Sequence, residues 1–377
     1  MSTHKPAVLL AALMLLFGGA SQSLGGWTFA GLGTLGGDWS GASAISGDGS
    51  VVVGGAENAT GVGEAFRWEN GVMTGLGFLP HDPAYPPPST GARAVSSDGS
   101  VVVGYSDVQK AFRWKDGVMV ELDIRSHVCD VSGDGSVAIG YRLITLQPWP
   151  NEVTEWSATR WERQGPVGLG RLADSTDTYA MGISADGSVI VGYSYKAEGS
   201  VEAVRWKNNR IVGLGTLGRG SGANAVSADG SVIVGWSTVE PGGTSHLVRW
   251  QDGTIQDLGI LPGVSHQKAQ AVSGDGSVIV GTFYNATDFD CFLWDAKEGI
   301  RSLEEVLTDR GIDLTGWDLR SADDISDDGR VIVGFGINPA GHQETWRAVI
   351  PEPSTILLLC SLAATLGLFH VLRRHRN

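Results

Sequence analysis

A ten-residue pattern of apolar and polar positions recurs seven times along the chain. Each copy has a short apolar piece, a polar Asp-Gly pair and a β-branched run that ends in glycine, as in residues 45–54 (ISGDGSVVVG). The other copies begin at Val95, Val131, Ile183, Val226, Val272 and Ile325. Because β-branched runs on either side of Asp-Gly are typical of paired strands, each copy predicts a β-hairpin. A type I′ turn, in which both central residues have positive φ, is expected at the Asp-Gly pair.

Two further strand patterns follow each hairpin. The third strand reads AFRW or a variant of it, and the fourth usually reads GLG-x-L after a second tight turn. Third strands begin near Ala65, Ala111, Ala158, Ala203, Leu247, Cys291 and Glu344. An Arg precedes the Trp in the first five, whereas Leu293 and Thr345 take its place in the last two. We interpret the repeated Arg as part of the architecture and the Trp as core.

These four pieces predict a fold for the whole body. Each unit is expected to be a four-stranded antiparallel meander, and consecutive Asp-Gly turns lie 36 to 53 residues apart. This period and the seven copies predict an all-β fold, a seven-bladed β-propeller of four-stranded blades.

The two ends of the body complement each other. A fourth-strand pattern at about residues 29–35 has no unit before it, and the third strand at residues 345–350 has no fourth strand after it. We expect the N-terminal strand to complete the last blade, which closes the ring and removes an exposed sheet edge. Before the last unit, Ser302 and Glu305 form the capping-box pattern of a short helix that ends at Gly311.

Composition and charge narrow the classes of function. The chain carries 41 acidic and 27 basic residues, a formal net charge of −14, which argues against nucleic acid as a partner. The sequence holds no nucleophile elbow, HExxH motif, P-loop or pair of histidine ligands, so we predict no catalytic residue, no metal, no cofactor and no enzymatic activity. Cys129 and Cys291 lie in different units and are interpreted as small buried apolar residues.

The N-terminal segment predicts export. Lys5 precedes an apolar run at residues 7–17, and small residues follow it. This arrangement is typical of a signal peptide, which we place at residues 1–23. A retained membrane anchor is the alternative.

The C-terminal segment, residues 351–377, has three parts. Pro351, Glu352, Pro353, Ser354 and Thr355 precede an apolar run at residues 356–372, and the basic residues Arg373, Arg374 and Arg376 follow it. The run is just long enough for a transmembrane helix, and the basic end would stay in the cytoplasm.

This segment resembles the PEP-CTERM sorting tail of Gram-negative bacteria. The resemblance implies an exosortase as processing enzyme and transient anchoring in the inner membrane with the body in the periplasm. It further implies release at the cell surface or into the extracellular matrix. An ordinary C-terminal anchor is the alternative.

The body, residues 27–350, resembles the HAF-repeat family of bacterial extracellular proteins. The motifs that carry the resemblance are AFRW-x-x-G, GLG-x-L and ISADGSVIVG, over residues 32–350. The family implies secretion and a propeller-like architecture, and it implies no established enzymatic activity.

Candidate binding residues lie in the longest connections. In a meander the Asp-Gly turns share one end of the molecule, and the variable second-to-third and fourth-to-first connections share the other, which we call the loop end. Two rich connections near residues 79–89 and 143–157 supply His81, Asp82, Tyr85, Trp149, Glu155 and Trp156. Aromatic side chains beside carboxylates suit a carbohydrate, and packing within their own loops is the alternative. One Asp in each Asp-Gly turn is too few for a calcium site, so we assign these residues to turn geometry.

Together these patterns predict a secreted, non-catalytic β-propeller that acts as a binding or structural module of the extracellular matrix or cell envelope. An extracellular polysaccharide or a surface protein is the expected partner. The alternative is a propeller enzyme that acts on extracellular polysaccharide, for which His81, Asp82, Glu152 and Glu155 are the candidates.

Overall fold

The computed structural model describes residues 21–22, 26–81, 88–106, 109–147, 153–239, 243–264, 266–284 and 289–351. Within these ranges the chain forms 29 strands, one short helix and six hydrogen-bonded sheets. The fold is therefore all-β, as the sequence predicts. Among the described residues, no helix is long and apolar enough to cross a membrane, and the apolar runs at residues 7–17 and 356–372 lie outside them.

The strands fall into antiparallel groups of four, which we call units 1 to 7 in chain order. Unit 1 comprises β3 (Gly36–Ile45), β4 (Val51–Asn58), β5 (Gly63–Glu69) and β6 (Val72–Gly75). Unit 2 comprises β7 (Thr90–Val95), β8 (Val101–Ser106), β9 (Lys110–Lys115) and β10 (Val118–Ile124). Unit 3 comprises β11 (Ser126–Val131), β12 (Ala138–Gln147), β13 (Val153–Glu162) and β14 (Gly165–Gly168). Unit 4 comprises β15 (Ser175–Ile183), β16 (Val189–Lys196), β17 (Val201–Lys207) and β18 (Arg210–Gly213).

The remaining units follow the same plan. Unit 5 comprises β19 (Gly218–Val226), β20 (Val232–Val239), β21 (Thr244–Gln251) and β22 (Thr254–Gly259). Unit 6 comprises β23 (His266–Val272), β24 (Val278–Tyr284), β25 (Phe289–Asp295) and β26 (Gly299–Ser302), and α1 (Leu303–Asp309) follows it. Unit 7 comprises β27 (Asp318–Ile325), β28 (Val331–Ile337), β29 (Gln343–Val349) and, from the N-terminus, β2 (Thr28–Gly31), which also pairs with β1 (Ser21–Gln22).

The N-terminal strand β2 pairs antiparallel with β29, the last strand of the described chain. Phe29 lies opposite Ala348, and the Leu32 amide donates to the Thr345 carbonyl at 2.9 Å. The Phe29 ring packs against Trp317 and Trp346, with ring centroids 5.1 and 5.9 Å apart. Unit 7 therefore takes its fourth strand from the opposite end of the chain.

The hydrophobic core lies between neighbouring units. Val53 of unit 1 packs in one cluster with Val102 and Phe112 of unit 2. Val333 of unit 7 packs in another cluster with Phe66 of unit 1. Because each sheet buries both faces against its neighbours, the β-branched second strands read as nearly continuous apolar runs.

The two kinds of tight turn differ. In units 1, 2, 4 and 5 the third-to-fourth turns have positive φ at both central residues, for example 52° at Asn70 and 83° at Gly71, as a type I′ turn requires. In the first turns Gly49 has a φ of 73°, but Asp48 is not in the positive region. The type I′ prediction is therefore wrong for the first turns. The Ser46 amide donates to the Val51 carbonyl at 2.8 Å and closes a four-residue loop instead.

The predicted helix is confirmed as α1. Ser302 is its N-cap, and its side chain accepts from the Glu305 amide at 3.5 Å. Gly311, with a φ of 82°, follows the C-cap residue Arg310 and allows the chain to leave the helix. Leu303, Val306 and Leu307 bury one side of α1 in the core of units 6 and 7.

The register of the third strand of unit 7 differs from the one that the repeated AFRW pattern predicts. Arg347 lies opposite Val333, just as Arg67 lies opposite Val53 in unit 1. Arg347, not Thr345, therefore occupies the repeated arginine position. Its guanidinium donates to the Gly49 carbonyl at 3.3 Å, and Arg67 makes the corresponding bond to Gly99 at 3.2 Å. These bonds join neighbouring units and fit an architectural role for the arginines.

Candidate functional site

A cycle of backbone hydrogen bonds joins the seven units at the end that carries the Asp-Gly turns. One amide in each first turn donates to the carbonyl of the equivalent residue in another unit, at 2.9 to 3.1 Å. The cycle runs from Gly47 to Ser97, Gly133, Ala185, Ala228, Gly274, Asp327 and back to Gly47. Six of these seven residues, all except Gly274, also line one end of a central cavity of about 190 Å³, to which the first strands of all seven units contribute. We call this cavity the central channel.

The repeated Asp of the first turns is engaged within its own turn. Asp48 accepts from the Ser46 hydroxyl at 2.7 Å and from the Ser50 amide at 2.9 Å. The Ser46 hydroxyl in turn accepts from the Val51 amide at 2.9 Å. Hydrogen bonds of this kind lower the pKa of the carboxyl, to about 2 at Asp98. Among the described residues, no group of three or more His, Cys, Asp or Glu side chains is placed to hold a metal ion.

Every first strand carries a β-bulge at the same position. In β3, Ala42 and Ala44 pair with consecutive residues of β4, so Ser43 is left without an opposite partner. A bulge re-aims the side chain of the extra residue. The seven bulge residues all line the central channel: Ser43, Arg93, Cys129, Met181, Asn224, Gln270 and Asp323.

The channel widens toward the loop end into a cavity of about 430 Å³, which we call the channel mouth. Its volume lies within the range of roughly 300–1,000 Å³ that is typical of small-molecule sites. Side chains from all seven units line it, including the rings of Tyr105, His127, Tyr141 and Phe335. Three of these rings, Tyr105, Tyr141 and Phe335, come from the position directly after the repeated V-x-V-G motif. That position holds Tyr105, Tyr141, Tyr193, Trp236 and Phe335 in five of the seven units.

The channel mouth also carries charge. Arg93, Lys268 and Asp323 line it, and the Arg93 guanidinium lies 4.9 Å from the centre of the Tyr105 ring. Asp323 Oδ1 accepts from the Ser321 hydroxyl at 2.7 Å, whereas its buried Oδ2 has no hydrogen-bond partner among the described residues. Burial raises the pKa of Asp323 to about 7. The surrounding protein lowers the pKa of Lys268, although the channel leaves its side chain accessible to water.

One rim of the mouth is a continuous aromatic cluster, which we call the aromatic platform: His127, Tyr141, Trp156, Tyr179, Tyr193 and Tyr195. His127 stacks on Tyr141 with centroids 5.0 Å apart, and Trp156 meets both rings edge-on at 5.5 and 5.3 Å. Tyr179 continues the cluster, 4.8 Å from Tyr141 and 5.0 Å from Tyr193. Burial raises the pKa of Tyr179 to about 12 and lowers that of His127, so both rings are neutral at neutral pH.

Two further carboxyl groups lie deeper in the channel. Asp130 accepts from the Ile183 amide of unit 4 at 3.0 Å, and Asp324 accepts from the Ile45 amide of unit 1 at 2.8 Å. Burial raises their pKa values, to about 7 for Asp130 and to about 8 for Asp324. Each side chain ties its unit to another unit.

The structure places three of the six loop residues that the sequence singled out. Trp156 belongs to the aromatic platform, and Glu155 beside it forms an ion pair with Arg171. His81 lies in the connection after unit 1, where its Nδ1 is 3.2 Å from the Leu79 carbonyl oxygen. Asp82, Tyr85 and Trp149 lie outside the described residues, as does Glu152.

The C-terminal sorting residues are described at one position alone. Pro351 is half-buried at the end of the body. The other residues of the predicted tail, Glu352, Pro353, Ser354, Thr355, Arg373, Arg374 and Arg376, lie outside the described residues.

The two described cysteines have different environments. Cys291 is buried in the core, as predicted, and burial raises its pKa well above the usual value. Cys129 is a bulge residue that lines the channel and packs against the apolar cluster of units 3 and 4, so it is less buried than predicted. Its thiol is nevertheless desolvated, which raises its pKa to about 12.

Sequence reasoning missed most of the channel mouth. The sequence does contain a feature that marks these residues, namely one variable position inside the otherwise regular repeat. The position two residues before the repeated Ile or Val of the hairpin holds a different residue type in each unit. The residues on either side of it are small or apolar in five of the seven units, and Asp130 and Asp324 are the exceptions. A position that changes in such a constant setting indicates a surface that the architecture does not constrain. Only the bulges reveal that these seven positions converge.

No family model and no curated protein matches this chain. The β-propeller domain of the Trilobed protease from Pyrococcus furiosus, described as having an open velcro topology, aligns with 82% of this chain and 95% of its own. The sequence identity is 11% and the TM-score 0.50. A putative TolB from Agrobacterium tumefaciens aligns with 74% of this chain and 95% of its own, at 15% identity and a TM-score of 0.45. TolB from Acinetobacter baumannii aligns with 68% of this chain and 66% of its own, at 14% identity and a TM-score of 0.44. The likeness to the Pyrococcus domain shows that this chain has a β-propeller fold.

Proposed function

We propose that this protein is an exported, non-catalytic β-propeller that binds carbohydrate at its channel mouth. It would serve as a binding or structural module of the extracellular matrix or cell envelope. The observation that carries the proposal is the channel mouth, where aromatic rings and unmatched polar groups share one cavity. A sugar ring presents C–H faces that pack on aromatic rings and hydroxyl groups that bond to charged side chains.

The aromatic platform extends this surface beyond the cavity. Trp156, Tyr179 and Tyr195 lie at the rim on the loop end, next to the rings that enter the mouth. A saccharide chain with its end in the mouth would pass over them. An extracellular polysaccharide is therefore the partner that this surface fits.

A closed ring of seven blades is part of the proposal. The cycle of hydrogen bonds at the Asp-Gly end supports it, since it passes through every unit and returns to Gly47. The pairing of β2 with β29 and the Asp324 bond to the Ile45 amide also connect the two ends of the chain. Such a ring removes the exposed sheet edges that promote aggregation.

Export and sorting rest on the sequence of the two ends. The proposal is that the signal peptide directs the chain to the periplasm and that an exosortase then processes the tail near residues 351–355. Fractionation of a Gram-negative host that makes an exosortase, with mass analysis of the mature protein, tests both steps. A mature chain in the cytoplasm that retains residues 1–23 would contradict this part.

The carboxylates of the channel mouth support a non-catalytic role. Glycoside hydrolysis takes two carboxyl groups, about 5 to 9.5 Å apart, on either side of the bond that breaks. Asp323 is the one carboxylate among the described residues that line this cavity. The carboxylate of Glu155 forms an ion pair with Arg171 and is not among the residues that line this cavity.

Binding of a saccharide library to the full-length chain in detergent tests the proposal. We expect binding that is lost in Tyr141→Ala, which removes a ring from the mouth. Tyr284→Ala is the matched control, because Tyr284 also stacks on a histidine, His266, at 4.9 Å but does not line the cavity. Absence of any saccharide binding, or equal loss in both variants, would contradict the proposal.

A further inference from the structure

The channel mouth holds two basic side chains, Arg93 and Lys268, whose one acidic neighbour among the described lining residues is Asp323, which interacts electrostatically with both. Within the described part of the chain, neither Arg93 nor Lys268 makes a hydrogen bond to a side chain or an ion pair. Many other basic side chains of this acidic body pair with a nearby acid, for example Arg67 with Glu69 and Lys110 with Glu121. In the mouth the cations face a cavity instead.

Their positions fit a ligand that lies between them. Arg93 is the bulge residue of unit 2, and Lys268 belongs to the first strand of unit 6, so the two approach the cavity from different units. The Arg93 guanidinium lies over the Tyr105 ring, 4.9 Å from its centre, a contact that favours one position of this cation at the cavity. A planar guanidinium edge matches a carboxylate, with which it forms two parallel hydrogen bonds.

We propose that Arg93 and Lys268 make the channel mouth selective for a sugar residue that bears a carboxylate, that is, a uronic acid. Arg93 and Lys268 bind the carboxylate, and the unpartnered Oδ2 of Asp323 accepts a hydrogen bond from a ring hydroxyl. Tyr105 and Tyr141 pack against the ring. This inference rests on the proposed function, because it assigns the class of saccharide that the same cavity takes.

The charge of the cavity agrees with an anionic ligand. Arg93 and Lys268 are the basic side chains among the described residues that line the mouth, and Asp323 is the one acidic side chain there, with a pKa that burial raises to about 7. His127 is neutral there, because burial lowers its pKa. Basic side chains therefore outnumber acidic ones at the mouth, on a chain whose formal net charge is −14. Such a local reversal of sign favours an anion over a neutral sugar.

Calorimetry on the full-length chain in detergent tests the inference with tri-galacturonic acid, galactotriose and free galacturonic acid. We expect the acidic trimer to bind tighter than the neutral one, and Arg93→Gln and Lys268→Gln to weaken the acidic trimer about ten- to hundredfold. Arg210→Gln is the control, since Arg210 is an exposed residue at the third-to-fourth turn of unit 4, at the opposite end. Lys268→Arg keeps the charge and should retain the preference for the acidic trimer.

The comparison of the acidic with the neutral trimer separates the two proposals. Equal binding of the acidic and the neutral trimer would overturn this inference and leave the proposed function intact. Loss of the preference in Arg210→Gln, or as great a loss in Lys268→Arg as in Lys268→Gln, would also overturn it. Binding of no saccharide would overturn both. If free galacturonic acid binds as tightly as its trimer, the inference is supported with a free sugar acid as the ligand. If the free acid binds more weakly than the trimer, the inference is supported with the end of a polysaccharide chain as the ligand. Unchanged thermal unfolding of the variants shows that they are folded.

Discussion

The glycine that ends each repeated V-x-V-G motif offers a sharp test of the architecture. In unit 1, a Cβ atom added to Gly54 would lie 2.0 Å from the Gly41 carbonyl oxygen and 2.9 Å from the Phe66 ring. The bulge at Ser43 brings the first strand into this position. Equivalent contacts with a carbonyl oxygen, at 1.8 to 2.2 Å, occur at Gly104, Gly140, Gly192, Gly235, Gly281 and Gly334.

Gly54→Ala should therefore destabilise the protein. An ordinary contact requires more than 3.4 Å, so the backbone of β3 has to move by more than an ångström, and the core between units 7 and 1 has to move with it. Overpacking of this kind typically costs 1–3 kcal/mol, and we expect a loss of about 3 kcal/mol because the obstacle is backbone rather than a flexible side chain.

The neighbouring residue supplies the control. A Cβ atom added to Gly55 meets Trp39 at 3.5 Å, which is ordinary contact, and Gly55 lies in the same strand with a similar backbone. Gly55→Ala should change the free energy of unfolding by less than about 1 kcal/mol, since the lower entropy of the unfolded chain offsets any small cost. Urea unfolding followed by the fluorescence of the 13 tryptophans measures both variants. Equal losses, or no loss in either, would refute the role assigned to the bulge.

Three further predictions concern hydrogen bonds and charge. Ser96→Ala removes the hydroxyl that bonds to Asp98 and to the Val101 amide, so it should lower the free energy of unfolding at pH 7 by about 1–2 kcal/mol in urea unfolding. It should also raise the pKa of Asp98 from about 2 toward 3.8 in an NMR titration, and an unchanged pKa would contradict the turn assignment. Asp324 has a pKa of about 8 in the folded protein, against about 3.8 in the unfolded chain. Between these two pH values the folded state binds one more proton than the unfolded state, so this residue makes stability fall as pH rises from about 4 to 8. Asp324→Asn should remove that slope, up to about 1.4 kcal/mol per pH unit, in unfolding curves at several pH values; identical pH profiles of variant and parent would contradict it. Arg347→Gln removes the hydrogen bond to the Gly49 carbonyl and should lower the free energy of unfolding by about 1 kcal/mol in urea unfolding. An unchanged free energy of unfolding would show that this link between units 7 and 1 does not contribute to stability.

The local elements of this fold follow from the sequence with few exceptions. The strands follow from apolar runs between turn residues, and α1 follows from its cap at Ser302 and its stop at Gly311. The type I′ assignment is correct where Asn-Gly or Asp-Gly stands alone, as at Asn70. It is wrong at Asp48, because the flanking serines bond to the carboxylate and favour a longer loop. Side-chain bonds of this kind compete with the intrinsic preference of the dipeptide.

The candidate site was less accessible to sequence reasoning. The loop end is where the channel mouth lies, and Trp156 belongs to its aromatic platform, but the residues that enter the cavity come from strands. Arg93 and Asp323 stand within the pattern that indicates a core hairpin, so their types alone suggest no site. Each points into the channel because a bulge breaks the alternation of its strand.

The sequence by itself determined the units of this protein. Seven copies of one motif dictate the same hairpin seven times, because the turn serines and the β-branched run act over a few residues. The tertiary structure alone decided how the copies meet. Positions such as Arg93, Lys268 and Asp323 are far apart along the chain, and they share one cavity because the first strands of all units line a common channel. The repeat therefore specifies the scaffold, and the convergence of its variable positions creates the site.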